Sequence, residues 1–212
     1  MSGKYVMVGK VKLGGGAPVS IQSMTNTDTR DRYKTLEQIN ALYEAGCQIA
    51  RVAVHDEACV KAVRFLVDRS PIPLVADIHF DYRLAIGAIE NGIAKVRINP
   101  GNIGSQENVR KLADCLKQHH VPVRIGVNSG SIEKEILQKY GASAQGMVES
   151  ALKHASYLEK EGLSLIHISS LSESSSSGRT PLSSLCRYCS IAPLPPFDML
   201  RPCAPGRSSA AP

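Results

Sequence analysis

The chain has 212 residues, of which 43% are hydrophobic and 21% charged, and its formal net charge is +6. This apolar fraction is enough for a buried core, which excludes collagen-like, fibrous and wholly disordered proteins. No apolar run reaches the roughly 18 residues of a membrane span, and the N-terminus lacks a secretory signal, so we expect a cytoplasmic protein. Six cysteines are too few for a disulfide scaffold, and we expect Cys47, Cys59 and Cys115 to be free thiols.

Along the first 162 residues, segments rich in valine and isoleucine alternate with segments of helical periodicity. A short hairpin around Gly9 and a turn at Gly14-Gly15-Gly16 precede them. The alternation is typical of βαβ units and predicts a parallel sheet with helical crossovers. The predicted strands are residues 18–24, 49–54, 73–78, 95–98 and 121–127, and the predicted helices are residues 35–45, 58–68, 82–91, 106–119 and 145–161.

Two α/β architectures fit this pattern, an open doubly wound sheet and a (β/α) barrel. No Gly-x-Gly-x-x-Gly motif follows the first strand, as it would in a dinucleotide-binding doubly wound sheet, so we favour the barrel. A complete (β/α)8 TIM barrel takes about 250 residues, and about five βα units are recognisable here. The sequence therefore predicts a partial TIM barrel, whose functional residues lie at the carboxyl ends of its strands.

The composition changes after this repeated part. Residues 169–212 contain seven of the 12 prolines and long serine runs, without the periodicity that would bury a face. We expect a substrate-binding domain over residues 1–162 and a disordered tail over residues 163–212, of frameshift or adapter origin. Cys186, Cys189 and Cys203 in this tail match an iron–sulfur or zinc pattern, but we favour cysteines without a ligand role, because no rigid element presents them together.

Charged residues stand at four successive strand ends. They are Arg51, Asp77, Arg97 and Arg124. An arginine that points into a barrel needs a partner, and Asp77 is the available internal carboxylate. Three arginines exceed one carboxylate, so the excess charge indicates a bound anion, and the planar guanidinium group suits phosphate oxygens.

The loops beside these strands carry further candidate ligand contacts. Amide side chains and backbone N–H groups in the loops after the fourth and fifth strands can meet two phosphate groups. His79 is a candidate donor or acid, or a structural residue, and Met24 belongs either to the pocket floor or to the core. Lysines and arginines on the helices lack interleaved aromatic residues, so we expect no nucleic-acid partner. The remaining candidates are Gln22 and Asn26 on the pocket floor and Asn99, Asn102 and Asn128 in the loops.

Four ordered segments, residues 22–27, 73–81, 96–104 and 122–131, resemble the 4-hydroxy-3-methylbut-2-enyl diphosphate synthase family. These are the iron–sulfur oxidoreductases of non-mevalonate isoprenoid (terpenoid) biosynthesis. The resemblance runs from about Met7 to Gly162.

The resemblance implies a (β/α)8 barrel joined to a C-terminal domain with a [4Fe-4S] cluster on three cysteines and a glutamate. It implies the reductive ring opening of 2-C-methyl-D-erythritol 2,4-cyclodiphosphate to 4-hydroxy-3-methylbut-2-enyl diphosphate, with flavodoxin or ferredoxin as electron donor, in a homodimer. By the same resemblance, the cyclic diphosphate is held by Arg51, Arg97, Arg124 and Asn128.

The tail departs from this pattern, because Cys186-Arg-Tyr-Cys189 lacks the family's proline and Cys203 follows too soon. We therefore expect this chain to lack the cluster, its ligands, a catalytic residue and turnover, and to bind the cyclic diphosphate weakly and with salt sensitivity. The alternatives are a non-enzymatic barrel fragment and a phosphate-binding barrel similar to pteroate synthases.

Overall fold

The computed structural model describes residues 5–99, 105–127 and 129–163. The predictions for the tail, including those for Cys186, Cys189 and Cys203, fall outside these residues, as do those for Asn102 and Asn128. The division of the chain at residue 162 therefore stays a prediction.

The N-terminal hairpin is confirmed. Strands β1 (Tyr5–Val8) and β2 (Val11–Gly14) pair antiparallel. Val8 at the end of β1 is fully buried and packs against Ile49 and Val75 of the main sheet, so the hairpin covers one end of that sheet.

The main sheet has five parallel strands in chain order, β3-β4-β5-β6-β7. In a doubly wound sheet the strand order reverses at a switch point, whereas the strands of a barrel follow one another around the axis. The unreversed order therefore agrees with the predicted barrel. The strands are β3 (Gln22–Met24), β4 (Ile49–Ala53), β5 (Leu74–Ile78), β6 (Lys95–Ile98) and β7 (Val123–Ile125).

The first and last of these strands are shorter than predicted. Residues 18–21 do not join β3, since Pro18 has no N–H and the Ile21 N–H donates to the side-chain oxygen of Gln48 (3.1 Å). Val121 does not join β7, because its N–H donates to the Leu116 carbonyl and ends the preceding helix. The prediction rested on hydrophobicity alone, and it therefore placed parts of the neighbouring loops in both strands.

The five predicted helices are confirmed within a few residues, and a short sixth helix was missed. The missed helix α5 has no buried residue, so it offers no apolar face for a periodicity to reveal. None of the helices in the described ranges combines the length and apolar character needed to cross a membrane. The helices are α1 (Arg32–Glu44), α2 (Glu57–Arg69), α3 (Tyr82–Glu90), α4 (Gln106–Gln118), α5 (Lys134–Tyr140) and α6 (Ala144–Lys160), with a 3-10 turn at Ser129–Ser131.

The helices cover one face of the sheet and leave the other for the site. Outward strand residues such as Val52 and Ala76 are fully buried against helix residues such as Ile39 and Leu66. Alternate strand residues point to the opposite face, and in β4 these include Arg51. The charged strand residues therefore lie on the inner face.

Glycine ends three helices, as predicted. After α1, the Gly46 N–H donates to the Tyr43 carbonyl and the Cys47 N–H to the Leu42 carbonyl, the bonds of a Schellman motif. Gly46 has a φ of +92°, a conformation that strains residues with a Cβ. Gly92 and Gly162 occupy the same place after α3 and α6.

Candidate anion-binding site

The sheet register places three of the predicted charged residues side by side. Asp77 of β5 is paired with Arg97 of β6, and Arg97 is paired with Arg124 of β7. Residues paired in a parallel register share a face of the sheet. Arg51 lies on the same face, since Ala53, two residues later, is paired with Asp77.

The Asp77 carboxylate is the centre of this group. It is only 3% exposed and accepts a hydrogen bond from Arg97 Nη1 at 2.9 Å through Oδ1. Its other oxygen lies 3.5 Å from Arg51 Nε. A buried carboxylate needs such partners. One negative charge thus meets two guanidinium groups, so the contact itself carries an excess positive charge.

Met24 contacts Arg51 from the neighbouring strand. The Nε and Nη2 atoms of Arg51 lie 3.1 Å and 3.0 Å from the Met24 sulfur. A thioether is a weak, uncharged acceptor, so this contact positions the guanidinium without neutralising it. Met24 therefore belongs to the site rather than to the core alone.

His79 lies over the Asp77–Arg97 pair. Its Nδ1 is 3.4 Å from Arg97 Nη1, and its Nε2 is 3.6 Å from Asp77 Oδ2. Arginine can only donate, so His79 Nδ1 is the acceptor in this contact. The side chain is 43% exposed, so its ring is accessible to a ligand.

Arg124 in the middle of β7 and Asn99 directly after β6 are both buried. Arg124 is 8% exposed and Asn99 is 1% exposed. Among the described residues, neither the oxygen nor the nitrogen of the Asn99 amide has a hydrogen-bond partner. A buried amide without partners is unfavourable, so Asn99 is suited to bind a ligand or water.

Two predicted residues lie at the margin of this group. Gln22 begins β3 and is paired with Ile49, so it lies toward the amino ends of the strands. The side-chain oxygen Oδ1 of Asn26 accepts a hydrogen bond from Gln38 Nε2, which ties the Asn26 side chain to α1. Their role in the pocket floor stays a prediction.

Gly126 was not predicted as a site residue. A Cβ at this position would lie 2.8 Å from the guanidinium carbon of Arg97 and closer still to two of its nitrogens. The sequence signal is a glycine that interrupts the apolar segment 121–127, a pattern that can mark a close approach to the backbone. Gly126 therefore provides the space that Arg97 occupies.

The described cysteines do not match the ligand set of the iron–sulfur cluster that the resemblance implies. Cys47, Cys59 and Cys115 form no disulfide within the described residues, and burial raises the pKa of each thiol. In residues 5–99, 105–127 and 129–163, no three cysteines come together. We derive no redox step from this part of the chain, and the expectation that the chain lacks the cluster stays a prediction.

The chain is similar to known proteins over most of its length. The family model described as "GcpE TIM-barrel domain" matches residues 3–184. The chain is 55% identical over 172 residues to 4-hydroxy-3-methylbut-2-en-1-yl diphosphate synthase (flavodoxin) of Desulfotalea psychrophila, covering 79% of this chain and 47% of the relative. The synthase of the same name from Natranaerobius thermophilus is 54% identical over 165 residues, with coverages of 77% and 46%. The chain thus spans about half the length of these curated relatives.

Similar solved structures support the fold alone. Dihydropteroate synthase of Yersinia pestis has a TM-score of 0.55 at 12% identity, covering 77% of this chain and 60% of its own. The 7,8-dihydropteroate synthase of Vibrio fischeri has a TM-score of 0.55 at 9% identity, with coverages of 75% and 62%. The family match confirms the resemblance first seen at the strand ends, and the chain belongs to the GcpE family through its TIM-barrel domain.

Proposed function

We propose that the protein takes part in the reductive ring opening of 2-C-methyl-D-erythritol 2,4-cyclodiphosphate to 4-hydroxy-3-methylbut-2-enyl diphosphate. In this proposal the described barrel binds the cyclic diphosphate. The observation that carries it is the buried Asp77 carboxylate on the inner face, whose single negative charge is shared by the guanidinium groups of Arg97 and Arg51. The names of the similar synthases contain the proposed product, 4-hydroxy-3-methylbut-2-en-1-yl diphosphate, and this supports the proposed reaction.

In this proposal the arginines on the inner face attract the charged ligand, and the uncharged side chains orient it. The guanidinium groups of Arg51 and Arg97 are held by Asp77, so they lose little freedom when they bind phosphate oxygens. Arg124 adds a third guanidinium beside Arg97 in the register. The Asn99 amide and the exposed His79 ring supply further hydrogen-bonding groups that distinguish one oxygen of the ligand from another.

The electron supply and the assembly belong to the same proposal. Ring opening with loss of water requires two electrons, and the names of the similar synthases contain the word flavodoxin. We extend flavodoxin to this protein as the donor, with ferredoxin as the alternative. The homodimer and the cytoplasmic location expected from the sequence are also part of the proposal. The described residues supply binding and orientation, not the redox group.

Calorimetric titration of the full chain with the cyclic diphosphate tests the proposal. We expect affinity to fall with added salt, and to fall at least about tenfold in Arg97→Ala and in Arg51→Ala, since a hydrogen bond to a charged group contributes about 1.5–3 kcal/mol. Arg110→Ala, which removes an exposed arginine on α4, is the matched control. Equal affinities in all three variants would contradict the proposal.

A competition experiment separates this proposal from its rivals. A barrel that functions like a pteroate synthase would bind a pterin diphosphate more tightly than the cyclic diphosphate. A non-enzymatic fragment without a competent site would bind neither. Either result would overturn the proposed substrate, whereas displacement by excess cyclic diphosphate alone would support it.

A further inference from the structure

Three side chains with metal-binding donor atoms meet outside the anion-binding site. Asp28 lies in the loop after β3, His55 follows β4, and Cys59 is in the first turn of α2. One donor atom from each lies within 4.8 Å of the other two. Because β3 and β4 are paired, the fold brings these residues together from different parts of the sequence.

The distance between the Cys59 sulfur and the His55 ring suits a tetrahedral metal ion. Cys59 Sγ is 3.6 Å from His55 Nδ1. Zinc–sulfur bonds of about 2.3 Å and zinc–nitrogen bonds of about 2.0–2.1 Å, at a tetrahedral angle, place the two ligand atoms about 3.6 Å apart. These two donors already have the separation that zinc requires.

The Asp56 carboxylate contacts both Cys59 and His55. Its Oδ1 accepts a hydrogen bond from the Cys59 backbone N–H at 2.8 Å, which caps α2 and fixes the first turn. Its Oδ2 lies 3.7 Å from His55 Nε2, and that nitrogen is 3.8 Å from the Cys59 sulfur, so both ring nitrogens lie near the sulfur. When Nδ1 binds a metal, a carboxylate beside the other ring nitrogen is the usual support of the histidine.

Asp28 forms an ion pair with Arg30, and Arg30 Nη2 lies 2.6 Å from Asp28 Oδ2. The two side chains are 44% and 53% exposed, and exposed ion pairs contribute little to stability. Arg30 also has a second acidic neighbour, since its Nη1 is 3.7 Å from Asp56 Oδ2. A metal cation that replaces the Arg30 guanidinium beside Asp28 would therefore cost the protein little stability.

We propose that Asp28, His55 and Cys59 form a binding site for Zn²⁺. The ligands are the Cys59 thiolate, His55 Nδ1 and an Asp28 carboxylate oxygen, and the fourth position faces solvent through the half-exposed His55 and Asp28. The thiolate and the carboxylate balance the two charges of the ion. Sulfur and imidazole ligands select zinc over magnesium or calcium.

Cobalt(II) absorption tests this proposal without any assay of activity. The parent is the reduced full chain with Cys186→Ser, Cys189→Ser and Cys203→Ser, so that those three thiols cannot bind the probe. We expect tetrahedral cobalt bands and a thiolate-to-cobalt charge-transfer band that saturate at about one ion per chain and disappear on addition of Zn²⁺.

Single substitutions in this parent assign the ligands. We expect His55→Gln and Asp28→Asn to weaken cobalt binding at least about tenfold, and Cys59→Ser to remove the charge-transfer band. Cys115→Ser removes a thiol far along the sequence and is the control that should bind cobalt normally.

If the buried Cys59→Ser variant does not fold, the other two variants still test the proposal, because His55 and Asp28 are exposed and substitutions of exposed residues usually change stability little. No cobalt band in the parent would overturn the proposal. An unchanged band in both His55→Gln and Asp28→Asn would also overturn it, by assigning the metal to other groups.

Discussion

The backbone of Gly126 lies against the guanidinium group of Arg97, so close that a Cβ at position 126 would be 2.8 Å from the guanidinium carbon. On its other side Arg97 donates to the buried Asp77 carboxylate. Arg97 is thus held between a carboxylate on β5 and a glycine beyond the end of β7, and its direction toward a ligand depends on both.

Gly126→Ala should weaken binding of the cyclic diphosphate about tenfold without unfolding the protein, because the added methyl group displaces a flexible side-chain end rather than backbone. Titration calorimetry measures the affinity, and a thermal melt checks the fold. If Gly126 acts through Arg97, the double variant Gly126→Ala/Arg97→Ala binds no more weakly than Arg97→Ala alone. Additive losses would show that Gly126 acts by another route.

Asp77→Asn should lower the free energy of unfolding by about 3 kcal/mol, since it removes the buried carboxylate that two partly buried guanidinium groups share. Urea unfolding measures this loss. Inorganic pyrophosphate should stabilise the variant more than the wild type, because the ligand then supplies the missing negative charge. Asp68→Asn, which breaks the exposed Arg64–Asp68 pair, is the control and should change stability by less than about 1 kcal/mol.

His120→Gly should raise the free energy of unfolding by about 1 kcal/mol. His120 follows α4 with a φ of +54°, and its N–H and that of Val121 make the same two cap bonds that glycine makes after α1. A left-handed conformation costs a residue with a Cβ about 1–2 kcal/mol, and glycine avoids that cost. Chemical denaturation measures the gain. His119 has right-handed helical geometry, so His119→Gly should give no gain.

The stability of the protein should fall as the pH decreases from 7.5 to 5.5, and His154 should account for part of the loss. Burial lowers the pKa of His154 from its usual 6.5 and outweighs the Glu133 carboxylate, whose Oε1 lies 2.9 Å from His154 Nε2. Above pH 6.5 the residue is neutral in both the folded and the unfolded chain, so its contribution is complete. Below that pH the unfolded chain takes up the proton first, which favours unfolding until the pH reaches the lower folded pKa.

Urea unfolding at pH 7.5 and pH 5.5 tests whether His154 lowers the stability as the pH falls. His154→Gln should lose less stability over the interval than the wild type, while the exposed His119→Gln variant should behave like the wild type. A wild type that gains stability relative to His154→Gln as the pH falls would mean that the Glu133 ion pair dominates over burial.

The repeated units could be predicted from the sequence because their hydrophobic periods are local. The segments around β4, β5 and β6 are continuous and apolar, and their bounds were predicted to within a residue or two. Helix α5 was not predicted, because it buries no residue and so has no apolar face. The true start of β3 was not predicted, because it depends on the contact between Ile21 and the Gln48 side chain. A hydrogen bond to a distant side chain leaves no periodic signal.

The sequence by itself determined which residues stand at the strand ends, and hence that Arg51, Asp77, Arg97 and Arg124 would share one edge of the sheet. The tertiary structure decided how they combine. Asp77 meets Arg97 and Arg51 because the parallel register places them as neighbours, and Arg97 keeps its position because Gly126 leaves room for it. Such pairings depend on the register between strands that are distant in sequence, with Asp77 and Arg97 20 residues apart, and no local pattern encodes that register.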